Sequence, residues 1–260
     1  MRWLAIKEHG AARSRAGLVT IALLLVAAPV ASAATVSGVQ TEEYLVVTFR
    51  AAPGERNELG VVPHETGVRF AGSRPLVAGD HCLAVRQGDV RCGPPGPVGL
   101  KVRAHSGDGD DFVFARVAHI SLERVTLGRG DDVGRGNGLV WAGPGKDDLR
   151  VVGGSASFHG GPGEDVLLGG RFRDLLAGGP GPDLLVGGRR FDEINGGRGR
   201  DQLAGGFGPD VFFAGPGDDL IRATDPKGDR IECGPGRDVA YVSRRDRTIG
   251  CESVVLGRPD

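Results

Sequence analysis

Large apolar residues recur at every ninth position through the second half of the chain: Leu149, Phe158, Leu167, Leu176, Leu185, Ile194, Leu203, Phe212 and Ile221. A period of nine matches neither the 3.6 of an amphipathic helix nor the strict alternation of an ordinary half-buried strand. It predicts very short strands, each carrying one inward residue, separated by tight glycine-rich turns. The segment 34–104 lacks this period. There YLVVTF, GVRFAG and CLAVRQGDVRC alternate between apolar and polar positions and are separated by Pro-Gly and Asn segments, which also predicts short strands. The fold class expected is all-β.

The residues between the apolar positions are as regular as the apolar positions themselves. The unit is Gly-Gly-x-Gly-x-Asp-x-(large apolar)-x. GGPGEDVLL from Gly160, GGPGPDLLV from Gly178, GGRGRDQLA from Gly196 and GGFGPDVFF from Gly205 match it in full, and AGPGDDLIR from Ala214 differs only at the first glycine. In this the chain resembles the RTX, or haemolysin-type, calcium-binding repeat family. The resemblance implies a parallel β-roll with two nonapeptides per turn, secreted from a bacterium, with Ca²⁺ as the bound ion. On that geometry residues 18 apart stack. The apolar eighth positions then form two internal columns, Leu149, Leu167, Leu185, Leu203 and Ile221 opposite Phe158, Leu176, Ile194 and Phe212.

Glycine permits the left-handed turns and close backbone approach of a six-residue loop whose carbonyls face inward. An aspartate at position six adds a carboxylate, and two stacked loops can together supply the six to eight oxygens that calcium takes. Turn-making alone accounts for glycine at the bends but not for aspartate at a fixed offset. Sorting units by 18-residue spacing separates two faces. The first holds the units from Ala142 (AGPGKDDLR), Gly160, Gly178, Gly196 and Ala214. Its predicted metal residues are Asp147, Asp165, Asp183, Asp201 and Asp219, with the loop glycines Gly143, Gly145, Gly161, Gly163, Gly179, Gly181, Gly197, Gly199, Gly215 and Gly217. The second face is degenerate. VVGGSASFH from Val151 lacks the aspartate, and Phe172 and Arg190 replace the fourth glycine of the units from Gly169 and Gly187, where a side chain resists the left-handed turn. Asp174, Asp192 and Asp210 are therefore expected to be weaker sites, and Asp238 of CGPGRDVAY, one residue late in phase, completes a last one.

Composition narrows the function classes. The 46 glycines recur every nine residues, not every three, which excludes collagen, and 5% aromatics implies a thin core. A basic start ending at Arg15, an apolar run from Leu18 to Val30 and Ala31-Ser32-Ala33 read as a signal peptide, 1–33, cleaved after Ala33. The run is too short to span a bilayer, and no transmembrane segment is expected in the mature chain. Removing four cations and one acid with that leader takes the formal charge from −1 to −4. The arginines are scattered among acids and not gathered in a basic stripe, so no nucleic-acid partner is expected. The protein partner is unspecified. Four cysteines in an exported chain read as two disulfides, and proximity pairs Cys82 with Cys92 and Cys233 with Cys251.

The expected organisation is a β-domain or cap over 34–104, repeats over 105–232 with the best at 142–222, and a last repeat and disulfide-closed cap over 233–260. Degenerate units begin at Ser106 (SGDGDDFVF) and near Leu127 (LGRGDDVGR). Asp111 lies 21 residues before Asp132, which lies 15 before Asp147, so the phase slips and then recovers. Asp229 fits the pattern poorly. His64-Glu65 is followed by Thr66-Gly67 and not by the rest of a zinc-protease motif, and no Gly-x-Ser-x-Gly elbow occurs. The expectation is a secreted calcium-binding protein without catalytic residues, whose folding depends on calcium. A structural or adhesive surface protein using the roll as a spacer is the first alternative, and a small hydrolase within 34–104 the second.

Overall fold

In the computed structural model the described residues are 35–40, 44–50, 58–64, 67–72, 77–78, 82–86, 89–92, 99–115 and 121–257. The predicted leader lies outside them. From residue 105 onward the chain winds as a parallel β-solenoid, part of a stack of about eight turns. No helix of the described residues is long and apolar enough to cross a membrane.

The period of nine becomes three-dimensional as two files of parallel strands. Leu149 pairs with Leu167, Leu167 with Leu185, Leu185 with Leu203, and Leu203 with Ile221. On the opposite file Phe158 pairs with Leu176, Leu176 with Ile194, and Ile194 with Phe212. All nine are at most 1% exposed. Each strand is too short to be stable alone, so the core is a stack of single side chains, one per strand per turn.

Both columns run further than the repeats do. The first begins at Leu59 and passes Val113 and Gly134 before Leu149, then continues past Ile221 to Ala240. The second begins at Phe49 and passes Ala104, Val125 and Val140 before Phe158, then reaches Ile231 beyond Phe212. Strands Tyr44–Arg50 and Glu58–His64 thus pair in parallel with the degenerate coils. Gly134 leaves a gap in its column that Leu149 fills, since a Cβ there would stand 2.6 Å from Leu149 Cδ2. The short interval between Asp132 and Asp147 has a structural cause. Strand Val133–Trp141 runs through the position of the second loop with only a register shift between Gly136 and Gly138.

At the far end, strands Arg247–Ile249 and Ser253–Leu256 add in parallel to Arg230–Glu232 and Val239–Val242. The Cys233–Cys251 disulfide, Cα atoms 5.1 Å apart, ties this last layer to the preceding coil. Cys82 and Cys92 face one another in the register of antiparallel strands Cys82–Arg86 and Asp89–Cys92. Their side chains lie outside the described residues.

Candidate metal centre

Glycine sets the spacing of the loops. All ten loop glycines of the first face, from Gly143 to Gly217, have positive φ. Gly163 shows why no other residue serves: its φ is 153°, and a Cβ would overlap the carbonyl oxygen of Gly145 in the preceding coil. Successive loops therefore stack backbone on backbone. Hydrogen bonds such as Gly161 N–H to the Gly178 carbonyl at 2.8 Å and Gly163 N–H to the Pro180 carbonyl at 2.9 Å hold them there.

This stacking buries the aspartates. Asp147, Asp165, Asp183, Asp201 and Asp219 are each at most 2% exposed. Each Oδ1 accepts the backbone N–H of the aspartate one coil earlier: Asp147 N–H donates to Asp165, Asp165 to Asp183, Asp183 to Asp201, and Asp201 to Asp219, all at 2.8–2.9 Å. The ladder is longer than the regular repeats. It starts with Asp111 N–H donating to Asp132 and Asp132 N–H to Asp147. It ends with Asp219 N–H donating to Asp238 and Asp238 N–H to Glu252.

The other oxygen of each carboxylate has no such partner. Oδ2 of Asp132, Asp147, Asp165, Asp183, Asp201, Asp219 and Asp238 is buried without a hydrogen bond. Beside it the first glycine of the unit leaves a niche. A Cβ on Gly196 would stand 2.5 Å from Asp201 Oδ2 and 2.6 Å from the Ala214 carbonyl oxygen of the next coil. The niche is thus bordered by a carboxylate oxygen from one coil and a carbonyl oxygen from the next. Ala142, Ala214 and Cys233 place a side-chain carbon at the equivalent position.

Orphaned buried oxygens cost free energy as anions. Burial accordingly raises the carboxyl pKa values, with smaller contributions from neighbouring acids at Asp132, Asp147, Asp183 and Asp219. Asp147 is pushed up to about 8, Asp132, Asp183 and Asp219 to about 7, and Asp165 and Asp201 to about 6. Near neutral pH such a file calls for protons or for a cation. Among the described residues no three His, Cys, Asp or Glu side chains converge on one point. Any metal here would complete its shell with backbone carbonyls, as hard oxygen-seeking cations do.

The second face builds the same ladder, and its irregularity is confined to one aspartate. Asp174 N–H donates to Asp192, Asp192 N–H to Asp210, and Asp210 N–H to Asp229. Oδ2 of Asp192 and Asp210 is orphaned like those of the first face. Asp174 differs at its second oxygen: Oδ1 accepts Ala156 N–H as the ladder requires, but Oδ2 accepts Gly170 N–H, both at 2.7 Å. The expected resistance of a side chain to the left-handed turn holds for one replacement only. Arg190 adopts φ 75°, the one non-glycine residue among those described to do so, whereas Phe172 does not take a positive φ.

Asp229 fits better than its sequence context implies. It is 4% exposed, accepts Asp210 N–H, and passes its own N–H to Asp246. The signal lay in the one-residue insertion that delays Asp238: Asp219 to Asp238 and Asp210 to Asp229 are both 19 residues. Asp246 and Glu252, which end the two ladders, belong to no repeat and had no such signal.

Four overlapping copies of the RTX calcium-binding nonapeptide repeat match the chain, over residues 141–176, 159–192, 177–212 and 195–225. Over that stretch the roll carries RTX-type repeats. Together these copies span residues 141–225, 85 of the 260, and within that span lie Asp147 through Asp219 of the first ladder and Asp174 through Asp210 of the second. The RTX repeats thus coincide with the stretch where loop spacing is regular, while both ladders run on beyond them. No curated protein and no solved structure matches the chain.

Proposed function

We propose that the chain is a secreted protein whose roll binds Ca²⁺ and folds as it does so. The observation that carries this reading is the file of buried Oδ2 atoms, of which those of Asp165, Asp183, Asp192 and Asp201 share a niche with a carbonyl oxygen of the next coil. Asp165, Asp183 and Asp201 on the first face, with Asp192 on the second, combine an orphaned oxygen with a niche left open by the first glycine of the unit, whereas the Phe212 ring borders the niche beside Asp210. They are the strongest proposed ligands, together with carbonyls of the glycine loops. Asp147, Asp219 and Asp238 have the orphaned oxygen but a filled niche. Asp174 has both oxygens occupied by amides and serves the roll as a turn-to-turn clasp.

Calcium suits this set better than magnesium. It accepts many oxygens in an irregular shell, whereas Mg²⁺ demands a near-ideal octahedron and sheds water reluctantly. When bound, the ion supplies positive charge between carboxylates that otherwise repel one another and resist ionisation. Extracellular calcium modules have dissociation constants of about 10⁻⁴–10⁻³ M, so millimolar calcium outside a cell fills them and cytosolic calcium does not. Each site at tenfold excess adds about 1.4 kcal/mol, and several sites on one stack add cooperatively. The role is binding and folding, not catalysis. The leader and the two cysteine pairs support export into an oxidising compartment.

Titration of the chain from residue 34 by calorimetry, with circular dichroism in parallel, tests the proposal. A cooperative gain of β-structure on adding Ca²⁺, reversed by chelator, is expected. A chain equally folded in EGTA at neutral pH would show that the ladders need no cation.

A further inference from the structure

The second loop edge of the roll differs from the first in what it shows to solvent. Positions three to five of its units carry Arg171 and Arg173 in one coil and Arg189 and Arg190 in the next, all four exposed. Among the described residues none of the four forms an ion pair. Phe172 is 45% exposed and Phe207 65%. The charges are held against rings: the Arg173 guanidinium lies 4.8 Å from the centroid of Phe191, and that of Arg189 5.9 Å from Phe207. The equivalent loops of the first edge carry Pro162 and Glu164, then Pro180 and Pro182, then the exposed Arg198 and Arg200, with no phenylalanine in any of them.

Two of these side chains occupy places where the repeat calls for glycine. Arg190 is held at φ 75°, while the next coil keeps Gly208 at that position. A strained residue exposed on an edge, with no role in the core, points to use of its side chain. The acids nearby do not cancel the charge. Asp174, Asp192 and Asp210 are buried in the ladder, and the half-buried Asp225, which accepts the N–H groups of Gly208 and Lys227, offsets at most one of the four charges. Only the half-buried Glu193 stands on the adjoining strand.

We infer that this edge, formed by loops 169–174, 187–192 and 205–210, docks on a membrane surface rich in anionic phospholipid. Coils stack about 4.8 Å apart, so the four guanidinium groups form one compact patch within reach of neighbouring headgroup phosphates, which arginine binds bidentately. Phe172 and Phe207 enter the headgroup boundary beside them, the combination of basic and aromatic side chains that binds at interfaces. A soluble polyanion would engage the arginines but gain nothing from burying the two rings. The inference is independent of where calcium sits.

Co-sedimentation of the folded chain in calcium buffer tests it, with vesicles of phosphatidylcholine alone or of phosphatidylcholine mixed with phosphatidylglycerol. Circular dichroism of each variant, run first, separates a failure to fold from a failure to dock. Binding to the mixed vesicles, weakened by salt, is expected. The double variant R171Q/R173Q should lower partitioning roughly 30-fold, from about 1 kcal/mol per arginine near such a surface. The double variant F172S/F207S should lower it several-fold at unchanged charge. Equal binding to both vesicle types overturns the inference, as does binding insensitive to R171Q/R173Q, which would be calcium bridging alone. Arginine-dependent binding that ignores F172S/F207S assigns the patch to a soluble polyanion and also overturns it.

Discussion

Replacing Asp183 by Asn has opposite consequences with and without calcium. The amide keeps an oxygen to accept Asp165 N–H, the bond that Oδ1 makes at 2.8 Å. Its NH₂ replaces the orphaned Oδ2 in a niche that the Gly196 carbonyl also borders, so the new donor has an acceptor nearby. What is lost is the negative charge. Burial raises the Asp183 pKa from 3.8 to about 7. The folded chain therefore binds a proton more tightly than the unfolded chain, and the resulting stability is complete below about pH 4 and lost as pH rises through about 7. A shift of about three units is worth roughly 4 kcal/mol at pH 8, an upper figure because adjoining aspartates titrate together. Asp183→Asn should thus stabilise the metal-free chain at pH 8 by up to a few kcal/mol, change it little at pH 4, and lose calcium binding at that coil. The β-structure signal by circular dichroism in EGTA at both pH values, with urea unfolding at pH 8 in millimolar CaCl₂, measures all three. If the variant is destabilised to the same degree in EGTA and in calcium at pH 8, Asp183 is an ordinary hydrogen-bonding residue and the metal reading fails there.

Three further outcomes follow from the packing. Asp174→Ala should leave calcium stoichiometry unchanged while destabilising the roll, because both its oxygens are held by amides; calorimetry beside Asp183→Ala makes the comparison. Gly163→Ala should cost more than the roughly 1 kcal/mol of an ordinary strained φ, since its Cβ would overlap the Gly145 carbonyl, and calcium should fail to restore native circular dichroism at concentrations that fold the wild type. Leu185→Ala, in the middle of the first column, should lower stability by 2–5 kcal/mol, measured by urea unfolding in calcium.

The two apolar columns were legible because one residue type recurs at one interval and parallel stacking in register leaves it a single place to go. Phe49 and Leu59 were not. Phe49 pairs with Ala104 across 55 residues and Leu59 with Val113 across 54, and coils of such unequal length carry no period to read. The aspartates were legible as a file, but not the division of labour within each carboxylate. Which oxygen accepts an amide depends on how far one coil is displaced along the next, and spacing in sequence does not encode that displacement. The weakness of the second face was read from Phe172 and Arg190 as a property of every unit there. In the structure the departure falls on Asp174: its Oδ1 makes the usual ladder bond, to Ala156 N–H, but its Oδ2 accepts the Gly170 N–H of its own unit.

Glycine and aspartate in this chain express one constraint and not two. Loops can stack at the separation of paired strands only if no Cβ stands between them, and Gly163 over Gly145 shows how little room remains. That same closeness removes water from position six and brings each carboxylate against an amide of the adjoining coil. A looser stack would hydrate the aspartates, and their pKa values would relax toward the ordinary carboxylate range. The metal-free chain at neutral pH therefore faces a choice between spacing and ionisation. It can keep the loops together and hold protons, or ionise and let the loops part. A cation placed between coils removes that conflict, since it stabilises the ionised carboxylates at the separation the glycines impose. The N-terminal coils, whose columns include the unrelated side chains Phe49, Leu59 and Ala104, hold their register by apolar packing. Dependence on calcium should accordingly be strongest from Gly160 to Asp219, where the core supplies one side chain per strand and the ladders supply the rest.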